Sequence, residues 1–219
     1  MIKPILFNSE MVKAIMDGRK TVTRRAPFKF EMKEGCNPDW SGYSLGEYYT
    51  GVIDSGVCLY SRGLHDVWGV RSNVVKPKYS IGDILWVRET WFRHDDWFAY
   101  KADNDDGEHY APWHPSIHMP KDAARIFLRV TGVRVERLEE ITEKEVWREG
   151  IESECRSCEY YLASECRDCA NRFESFDMFS SLWDSTIKPD DISRYGWNAN
   201  PYVWVIEFER CEKPEGWPV

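Results

Sequence analysis

Lys20, Thr23 and Glu149 are residues whose types could together carry out hydrolysis of an amide. Lys20 stands in a run of basic residues, and nearby positive charge disfavours a protonated amine, which predicts a lowered pKa and a role as a base. Thr23 belongs to the same run and offers a hydroxyl nucleophile, while Glu149 offers a carboxylate that can position a leaving group. A base, a hydroxyl and an acid are the groups that covalent or water-mediated attack on an amide requires.

Glu149 stands where a helix end disfavours an acid. Thr142 and Glu145 form a T-x-x-E capping box and Gly150 supplies a stop, so a helix is predicted over 143–149. A carboxylate in the last turn opposes the partial negative charge of the helix end, at a cost of about 0.3–1 kcal/mol. Such conflicts are modestly enriched at functional sites, although this position taken alone favours the alternative of a solvated glutamate beside Arg148.

The basic run lies between a predicted helix and a predicted strand. Asn8 or Ser9 can cap the helix, Gly18 ends it, and strand-forming residues follow from Lys20. One non-extended residue at such a junction would bring the Lys20 amine and the Thr23 hydroxyl together. The basic residues of the run are Arg19, Lys20, Arg24 and Arg25.

The overall charge limits the kind of nucleic-acid contact that this chain can make. It has 29 basic and 37 acidic residues, a formal charge of -8 and a pI near 5.3. Non-specific duplex binding normally comes with a basic surface, so a DNA coat is a poor fit. Any contact must be local, and the basic run is the candidate for it; a solvated basic turn is the alternative.

Four cysteines have the spacing of a zinc site. Cys155-x2-Cys158 and Cys166-x2-Cys169 form two knuckles that can place four thiolates around one Zn²⁺. A site filled by four sulfur ligands has no open position, so this zinc would be structural and would fold the 151–172 insertion. Four unpaired thiols or two local disulfides are the alternatives.

Strands are indicated in three further stretches of the chain. Ile84–Val87 is a continuous apolar run that follows the Gly82-Asp83 turn. Alternating apolar residues over 126–135 shift phase across Gly132, which predicts a β-bulge in one long strand. Over 202–208, large aromatic or aliphatic residues alternate with valine or glutamate, which predicts a largely buried strand.

The remaining pattern favours an α+β fold. Aromatic residues recur at three- or four-residue intervals over 173–183 and indicate an amphipathic helix. Residues 35–80 predict an irregular insertion with one or two short strands. Strands do not alternate regularly with helices, so a mixed sheet or small β-barrel with flanking helices is favoured over a doubly wound fold. We expect a single domain over 1–219 that carries the two insertions.

Composition argues for a folded protein in the cytoplasm. The 11 Trp and 11 Tyr residues argue against disorder and against collagen-like or coiled-coil structure. No stretch approaches the roughly 18 unbroken apolar residues of a membrane helix, and the first residues lead into a strand-like run instead of a signal-peptide core. We therefore expect no membrane contact.

Several motifs carry a resemblance to a known family. They are Gly18–Arg25 (G-R-K-T-V-T-R-R), Gly82–Val87 (G-D-I-L-W-V), the helix ending at Gly150 and the strand Val203–Phe208. In this order they resemble the motifs of the ASCH family (activating signal cointegrator homology) of the PUA-like superfamily. Trp86–Trp91 and Trp113–Pro120 are similar more particularly to its phage and prophage branch.

The resemblance implies a small β-barrel with helices across it and a cleft that takes RNA, another single-stranded nucleic acid or a modified nucleoside. Some bacterial members are amidohydrolases that remove the acetyl group from acetylated cytidine. By this similarity Thr23 would be the nucleophile, Lys20 would activate it and Glu149 would assist proton transfer. The resemblance also implies a protein of a bacterial cell, with a phage or prophage as one source of its gene.

Other side chains are candidates for contact with a ligand in that cleft. Arg19, Arg24 and Arg25 would contact phosphate. Trp91 and Trp113 could stack on a base, a contact worth about 1–3 kcal/mol, although core packing is the alternative for each. Arg88 and Glu89 are adjacent on a strand, so one of them should face the cleft. His118 lies in a Pro-bounded loop and could contact a phosphate or a carbonyl.

Three functions follow from these patterns. The first is hydrolysis of an acylated cytidine by Lys20, Thr23 and Glu149, slightly favoured over the others. The second is a non-catalytic module that holds nucleic acid or a modified base in the same cleft. The third is a phage accessory protein whose zinc-stabilised insertion binds another protein.

Overall fold

The computed structural model describes residues 1–26, 48–53, 56–61, 74–103, 112–151 and 172–218. Within these ranges the strands are β1 (Ile2–Leu6), β2 (Val22–Arg25), β3 (Tyr48–Ile53), β4 (Gly56–Ser61), β5 (Val74–Val75), β6 (Ile84–Arg88), β7 (Trp91–Arg93), β8 (Phe98–Tyr100), β9 (Phe127–Arg137) and β10 (Tyr202–Cys211). The α-helices of the same ranges are α1 (Ser9–Met16), α2 (Glu143–Arg148), α3 (Arg172–Thr186) and α4 (Ile192–Tyr195). The fold is therefore mixed α+β, as predicted.

The main sheet has five strands in the order β1-β6-β9-β10-β2. β1 runs parallel to β6, and the other neighbours are antiparallel. The predicted closed barrel is wrong for the described strands, because β1 and β2 remain the two edges of an open sheet. Pro4 in the middle of β1 has no N–H to donate, which suits an edge strand. The two edges are joined through a side chain instead, since Arg25 Nη2 of β2 donates to the Leu6 carbonyl of β1 at 2.7 Å.

The long antiparallel pair of β9 and β10 carries the irregularity that the sequence pattern predicts. Glu207 lies opposite Gly132, whereas the next residue, Phe208, lies opposite Val130, so the register shifts by one residue at this point. The phase change across Gly132 is thus a β-bulge. It lets each strand keep apolar side chains buried on both sides of the irregularity.

The sheet is buried on both faces, and β10 shows why. Its side chains alternate, so Trp204 and Ile206 join one core and Val203 and Val205 join the other. The first core includes apolar residues of α1, and the second includes residues of α2 and α3. β10 is therefore the largely buried strand that the sequence predicts.

Two smaller sheets accompany the main one. The 35–80 range contains three strands, β3, β4 and β5, that pair with each other in an antiparallel sheet, where we expected one or two strands. β7 and β8 form a hairpin, and a single bridge joins Trp91 to His114. Among the described residues, no helix is both long enough and apolar enough to cross a membrane.

Candidate functional site

Lys20 is positioned by the turn that connects α1 to β2. The Asn8 side chain caps α1 by accepting from the Met11 N–H at 2.8 Å, as predicted. Gly18 has φ +78°, a conformation that favours glycine, and ends the helix. The Lys20 N–H then donates to the Ala14 carbonyl at 2.9 Å, which ties the lysine backbone to the end of α1. As a result the Lys20 side chain is fully buried.

Glu149 is positioned by the end of α2. The Glu145 carboxylate accepts from the Thr142 N–H at 3.1 Å at the start of this helix, as the capping box predicts. Glu149 is its C-cap residue, and Gly150 follows with φ +88°. A side chain at Gly150 would bring a Cβ within 2.7 Å of the Ala14 Cβ. Glycine here lets the end of α2 lie directly against the turn between α1 and β2.

This packing brings the predicted amine and acid together. Lys20 Nζ donates to Glu149 Oε2 at 2.6 Å and to the Glu149 carbonyl at 2.7 Å. Burial lowers the pKa of Lys20, the Glu149 carboxylate opposes this shift, and Arg25 and Arg24 add to it. The predicted direction agrees, but the main cause is loss of solvation and not the neighbouring cations.

Thr23 is buried but makes no hydrogen bond with that pair. It lies opposite Ile206 in the β2–β10 ladder, so its side chain shares the sheet face of Ile206. Within the described part of the chain, no hydrogen bond joins its hydroxyl to Lys20 or to Glu149. The structure therefore assembles two of the three predicted groups in direct contact.

Arg24 holds the other side of the Glu149 carboxylate. Its Nη1 donates to Glu149 Oε1 at 3.1 Å and its Nε donates to Glu136 Oε1 at 3.0 Å. Its Nη2 also lies 3.2 Å from Glu145 Oε2, and the whole side chain is buried. Arg134 extends the network by donating to Glu136 at 3.0 Å. Arg24, predicted to contact phosphate, is thus committed to buried carboxylates.

Arg19 and Arg25 differ in where they point. Arg19 turns back to the helix ends, donating to the Gly150 carbonyl at 3.1 Å and to Asp17 at 2.9 Å. Arg25 lies with its guanidinium carbon 5.2 Å from the centre of the Phe7 ring. The Lys20 ammonium lies 5.7 Å from the same ring centre. Phe7 is therefore a shared neighbour of the buried amine and of Arg25.

Arg25 opens onto a cavity of about 580 Å³. The cavity lies between the two edges of the main sheet, because β1 and β2 both line it, together with β10. Its lining residues are Pro4, Ile5, Leu6, Arg25, Ala26, Lys76, Pro77, Lys78, Tyr79, Arg88, Ile117, Trp204 and Ile206. Among these described residues four are cationic and none is acidic, which favours an anionic ligand.

The pKa of Lys78 is affected by other cations around it. Burial lowers the pKa of Lys78, and the like charges of Arg25, Lys3 and Arg88 lower it further. Its ammonium lies 5.3 Å from the centre of the Tyr79 ring. The Tyr79 hydroxyl donates to the Pro4 carbonyl at 2.8 Å, which fixes this segment to the edge strand β1.

Arg88 and Glu89 diverge, as their adjacent positions on the chain predict. Arg88 lines the cavity. Glu89 is only 1% exposed and points elsewhere, to Arg125, whose Nε donates to Glu89 Oε1 at 2.9 Å. Burial raises the pKa of Glu89 although Arg125 opposes the shift. Glu89, a predicted ligand contact, therefore belongs to a separate buried ion pair.

The remaining predicted ligand contacts do not line the cavity. Trp91 is buried, with its ring centre 4.9 Å from that of His114 and 5.8 Å from that of Phe98. Trp113 is half-buried and His118 is exposed, in a 3₁₀ turn over 116–118. The core-packing alternative thus describes Trp91.

Sequence reasoning missed the segment that supplies half of the cationic lining. Lys76 and Lys78 flank Pro77 in a K-P-K-Y stretch that we assigned to the 35–80 insertion. Proline favours extended backbone at the residue before it, and residues two apart in extended chain share a side. Two lysines around a proline, followed by a tyrosine, were therefore an available signal for a cationic surface.

The predicted zinc ligands, Cys155, Cys158, Cys166 and Cys169, lie outside the described residues. In the described part of the chain, no group of three or more His, Cys, Asp or Glu side chains is arranged to hold a metal ion. The zinc site stays a prediction from the sequence.

Comparison with known proteins adds no assignment to this geometry. The chain was compared with protein-family models, curated proteins and solved structures. None of the three comparisons finds a match.

Proposed function

We propose that this chain is an ASCH-type protein that binds RNA or a modified nucleoside in the cavity between β1 and β2. The observation that carries the proposal is the lining, which combines four cations with Tyr79 and Trp204. Cationic grooves that track phosphate and aromatic rings that pack against bases are the usual elements of single-stranded nucleic-acid sites. The family assignment itself rests on the sequence motifs alone, because the main sheet of the described residues is open and is not the barrel that the resemblance implies.

The location of the positive charge supports a confined site. The chain carries a formal charge of -8, yet the cavity lining includes Arg25, Lys76, Lys78 and Arg88. Long-range attraction to a duplex would be weak on such a protein, whereas the charged side chains around a ligand inside the cavity would all be positive among the described residues. The proposal is therefore a small local site and not a whole-surface contact.

Binding measurements with short single-stranded RNA test the proposal. We expect binding that weakens as salt rises and that falls in Arg88→Gln and Lys78→Gln, because each change removes a cation from the lining. Lys144→Gln is a matched control, since Lys144 is exposed on α2 and does not line the cavity. Affinity that is indifferent to salt, or equal losses in all three variants, would count against the cavity as the site.

A second candidate function is amide hydrolysis on an acylated cytidine. It is favoured by the 2.6 Å contact between Lys20 and Glu149 and by the lowered pKa of Lys20. In this reaction a neutral Lys20 takes the proton of the Thr23 hydroxyl, and the Thr23 oxygen bonds to the acyl carbon. Collapse of the tetrahedral adduct breaks the C–N bond, and the nucleoside amine leaves with a proton returned from Lys20. Water then hydrolyses the acyl-threonine ester.

Burial of the amine sets a condition on this reaction. The Lys20 side chain has no exposed surface, so substrate must reach it through a movement of neighbouring side chains. Phe7 and Arg25, which share its surroundings, are the residues whose movement would connect Lys20 to the cavity. Binding without hydrolysis requires no such movement, and we therefore rank it first.

Substitutions at Thr23 separate hydrolysis from binding. Thr23→Val removes the hydroxyl and keeps the shape, whereas Thr23→Ser keeps the hydroxyl. We expect loss of acyl release from N4-acetylcytidine in Thr23→Val and in Lys20→Met, but activity in Thr23→Ser. Melting temperatures would identify variants that fail to fold. Full turnover in Thr23→Val, or no turnover by the wild-type protein, would refute the hydrolytic candidate.

A further inference from the structure

Arg25 is held at the cavity by two contacts that leave most of its donors for a ligand. Its guanidinium packs over Phe7, and its Nη2 donates to the Leu6 carbonyl at 2.7 Å. No other hydrogen bond of its side chain is formed within the described residues. An arginine carries five N–H donors in a rigid fork, and a fork held in place loses little freedom when it binds an anion.

Arg88, a second residue of the cavity lining, is held in the same way. Its guanidinium carbon lies 5.3 Å from the centre of the Trp86 ring, and its Nη2 donates to the Ile117 carbonyl. Its Nε is buried and has no hydrogen-bond partner. A buried donor without a partner costs free energy, which a ligand oxygen that reached it would recover.

Lys78 is a third cation beside these two arginines in the cavity lining. All three residues line the same cavity, and Arg25 and Arg88 each act on the charge of Lys78. Like charges held together repel, and an anion placed among them relieves that repulsion. Two arginine forks and one ammonium match the three terminal oxygens of a phosphate monoester better than the two free oxygens of an internal phosphodiester.

The size and apolar lining of the cavity indicate what the phosphate is attached to. A volume of about 580 Å³ suits one nucleotide unit, either free or at the end of a strand. Leu6 and Ile117 line the cavity and are 42% and 58% exposed, so each presents apolar surface at its opening. A flat, partly apolar base next to a phosphate fits such a lining.

From these contacts we propose that the ligand is a nucleotide with a terminal phosphate monoester, bound by Arg25, Lys78 and Arg88. The inference rests on the proposed function, because it names the ligand class of the same cavity. A free mononucleotide and a 5′-phosphorylated RNA end share this chemistry. The two sources are separated by comparing a mononucleotide with phosphorylated and unphosphorylated forms of one short RNA.

Calorimetric titration of the full chain with cytidine 5′-monophosphate and with cytidine tests the phosphate contact. We expect the monophosphate to bind about tenfold more tightly or better. That advantage should shrink to about threefold or less in Arg88→Gln and in Lys78→Gln, and should be unchanged in Lys144→Gln. Circular dichroism of each variant confirms folding, and inorganic phosphate should compete with the monophosphate but not with cytidine.

The outcomes separate this inference from the proposed function. Equal affinity for cytidine and its monophosphate, together with equal affinity for the phosphorylated and unphosphorylated RNA, overturns the inference and leaves RNA or nucleoside binding standing. Preference for the phosphorylated RNA over both the monophosphate and the unphosphorylated RNA supports the inference with an RNA end as the source. Failure of every nucleoside, nucleotide and RNA to bind overturns both.

Discussion

The Glu149 carboxylate is shared by two buried cations, one on each of its oxygens. Lys20 contacts Oε2 at 2.6 Å and Arg24 contacts Oε1 at 3.1 Å. Each charge would be costly to bury alone, and the shared carboxylate makes burial of both tolerable. Arg24 is then a positioning residue, because it fixes the carboxylate that Lys20 contacts and has no place in the cavity lining.

Removal of Arg24 should be among the most destabilising single changes at this site. Arg24→Met removes one buried cation from the carboxylates of Glu136, Glu145 and Glu149, and the cost of breaking a buried ion pair is about 3–5 kcal/mol. Urea unfolding followed by tryptophan fluorescence measures the loss.

Arg19→Met is the matched control for that change. The ion pair of Arg19 with Asp17 is partly exposed, and such pairs contribute about 0–1 kcal/mol. Similar small losses in the two variants would show that the buried network contributes little to folding.

The lowered pKa of Lys78 should appear in its chemical reactivity. Burial and the like charges of Arg25, Lys3 and Arg88 move this pKa below the ordinary value of 10.5. The ammonium form, which binds an anion, is therefore lost at lower pH than in a free lysine. Arg88→Gln removes one like charge, so the pKa of Lys78 should rise and its labelling midpoint should move to higher pH. Competitive acetylation with peptide mass spectrometry measures this midpoint.

Lys144→Gln serves again as the comparison for Lys78, because it removes a cation that does not act on this amine. It should leave the labelling midpoint of Lys78 in place. A midpoint that stays fixed, or falls, in Arg88→Gln would mean that Arg88 does not act on the lysine in solution.

At the scale of elements, the close contact between the end of α2 and the turn after α1 sets the geometry of the site. Gly150 makes that contact possible, since a Cβ there would lie 2.7 Å from Ala14 Cβ and 3.1 Å from Lys20 Cβ. Gly18, which ends α1, has a similar φ but has nothing within 4 Å of such a Cβ. Comparing substitutions at the two glycines therefore separates the cost of the backbone conformation from the cost of steric overlap.

Alanine substitutions at these glycines should have unequal effects. Gly18→Ala places a Cβ in the left-handed region at a cost of about 1–2 kcal/mol. Gly150→Ala adds the overlap with Ala14, so it should lose clearly more stability than Gly18→Ala in urea unfolding. Equal losses would mean that the two elements separate easily, and the Lys20–Glu149 contact would then not be rigid.

Local signals in the sequence were sufficient for several of these elements. The Asn8 cap, the T-x-x-E box before α2 and the phase change at Gly132 all act through neighbours in the chain, and all three are confirmed. The cavity could not be predicted in this way. It depends on the sheet order and on Lys78 reaching Arg25 and Arg88, which are distant in sequence.

The difference between local signals and contacts distant in sequence also explains how much of the candidate site could be predicted. Adjacent positions on a strand predict that Arg88 and Glu89 diverge, but only Arg125, on another part of the chain, decides that Glu89 is the one buried in an ion pair. Likewise, the sequence spacing of Lys20 and Thr23 does not decide whether their side chains are in contact. The turn geometry directs the lysine to Glu149 instead.

At the scale of the whole molecule, the zinc prediction concerns a segment between α2 and α3. Reduced, purified protein should contain about one equivalent of zinc, because four thiolates complete one tetrahedral site. Cys166→Ser should lower that content, while Cys211→Ser, at a half-buried free cysteine on β10, should not. Elemental analysis measures both.

Absence of zinc from the reduced wild-type protein would exclude the site and leave free thiols or local disulfides. Zinc in the wild-type protein, together with loss of a partner protein when residues 151–172 are removed, would instead support the accessory-protein function.

The two edge strands of the main sheet, β1 and β2, have a consequence for self-association of the protein. Among the described strands, β1 and β2 each pair on one side only, and strands with a free side can recruit strands of other molecules. In this protein both free sides border the cavity, where the Arg25 side chain joins them. A ligand bound in the cavity would shield the unpaired sides of both strands. Ligand binding should therefore also suppress self-association of the protein.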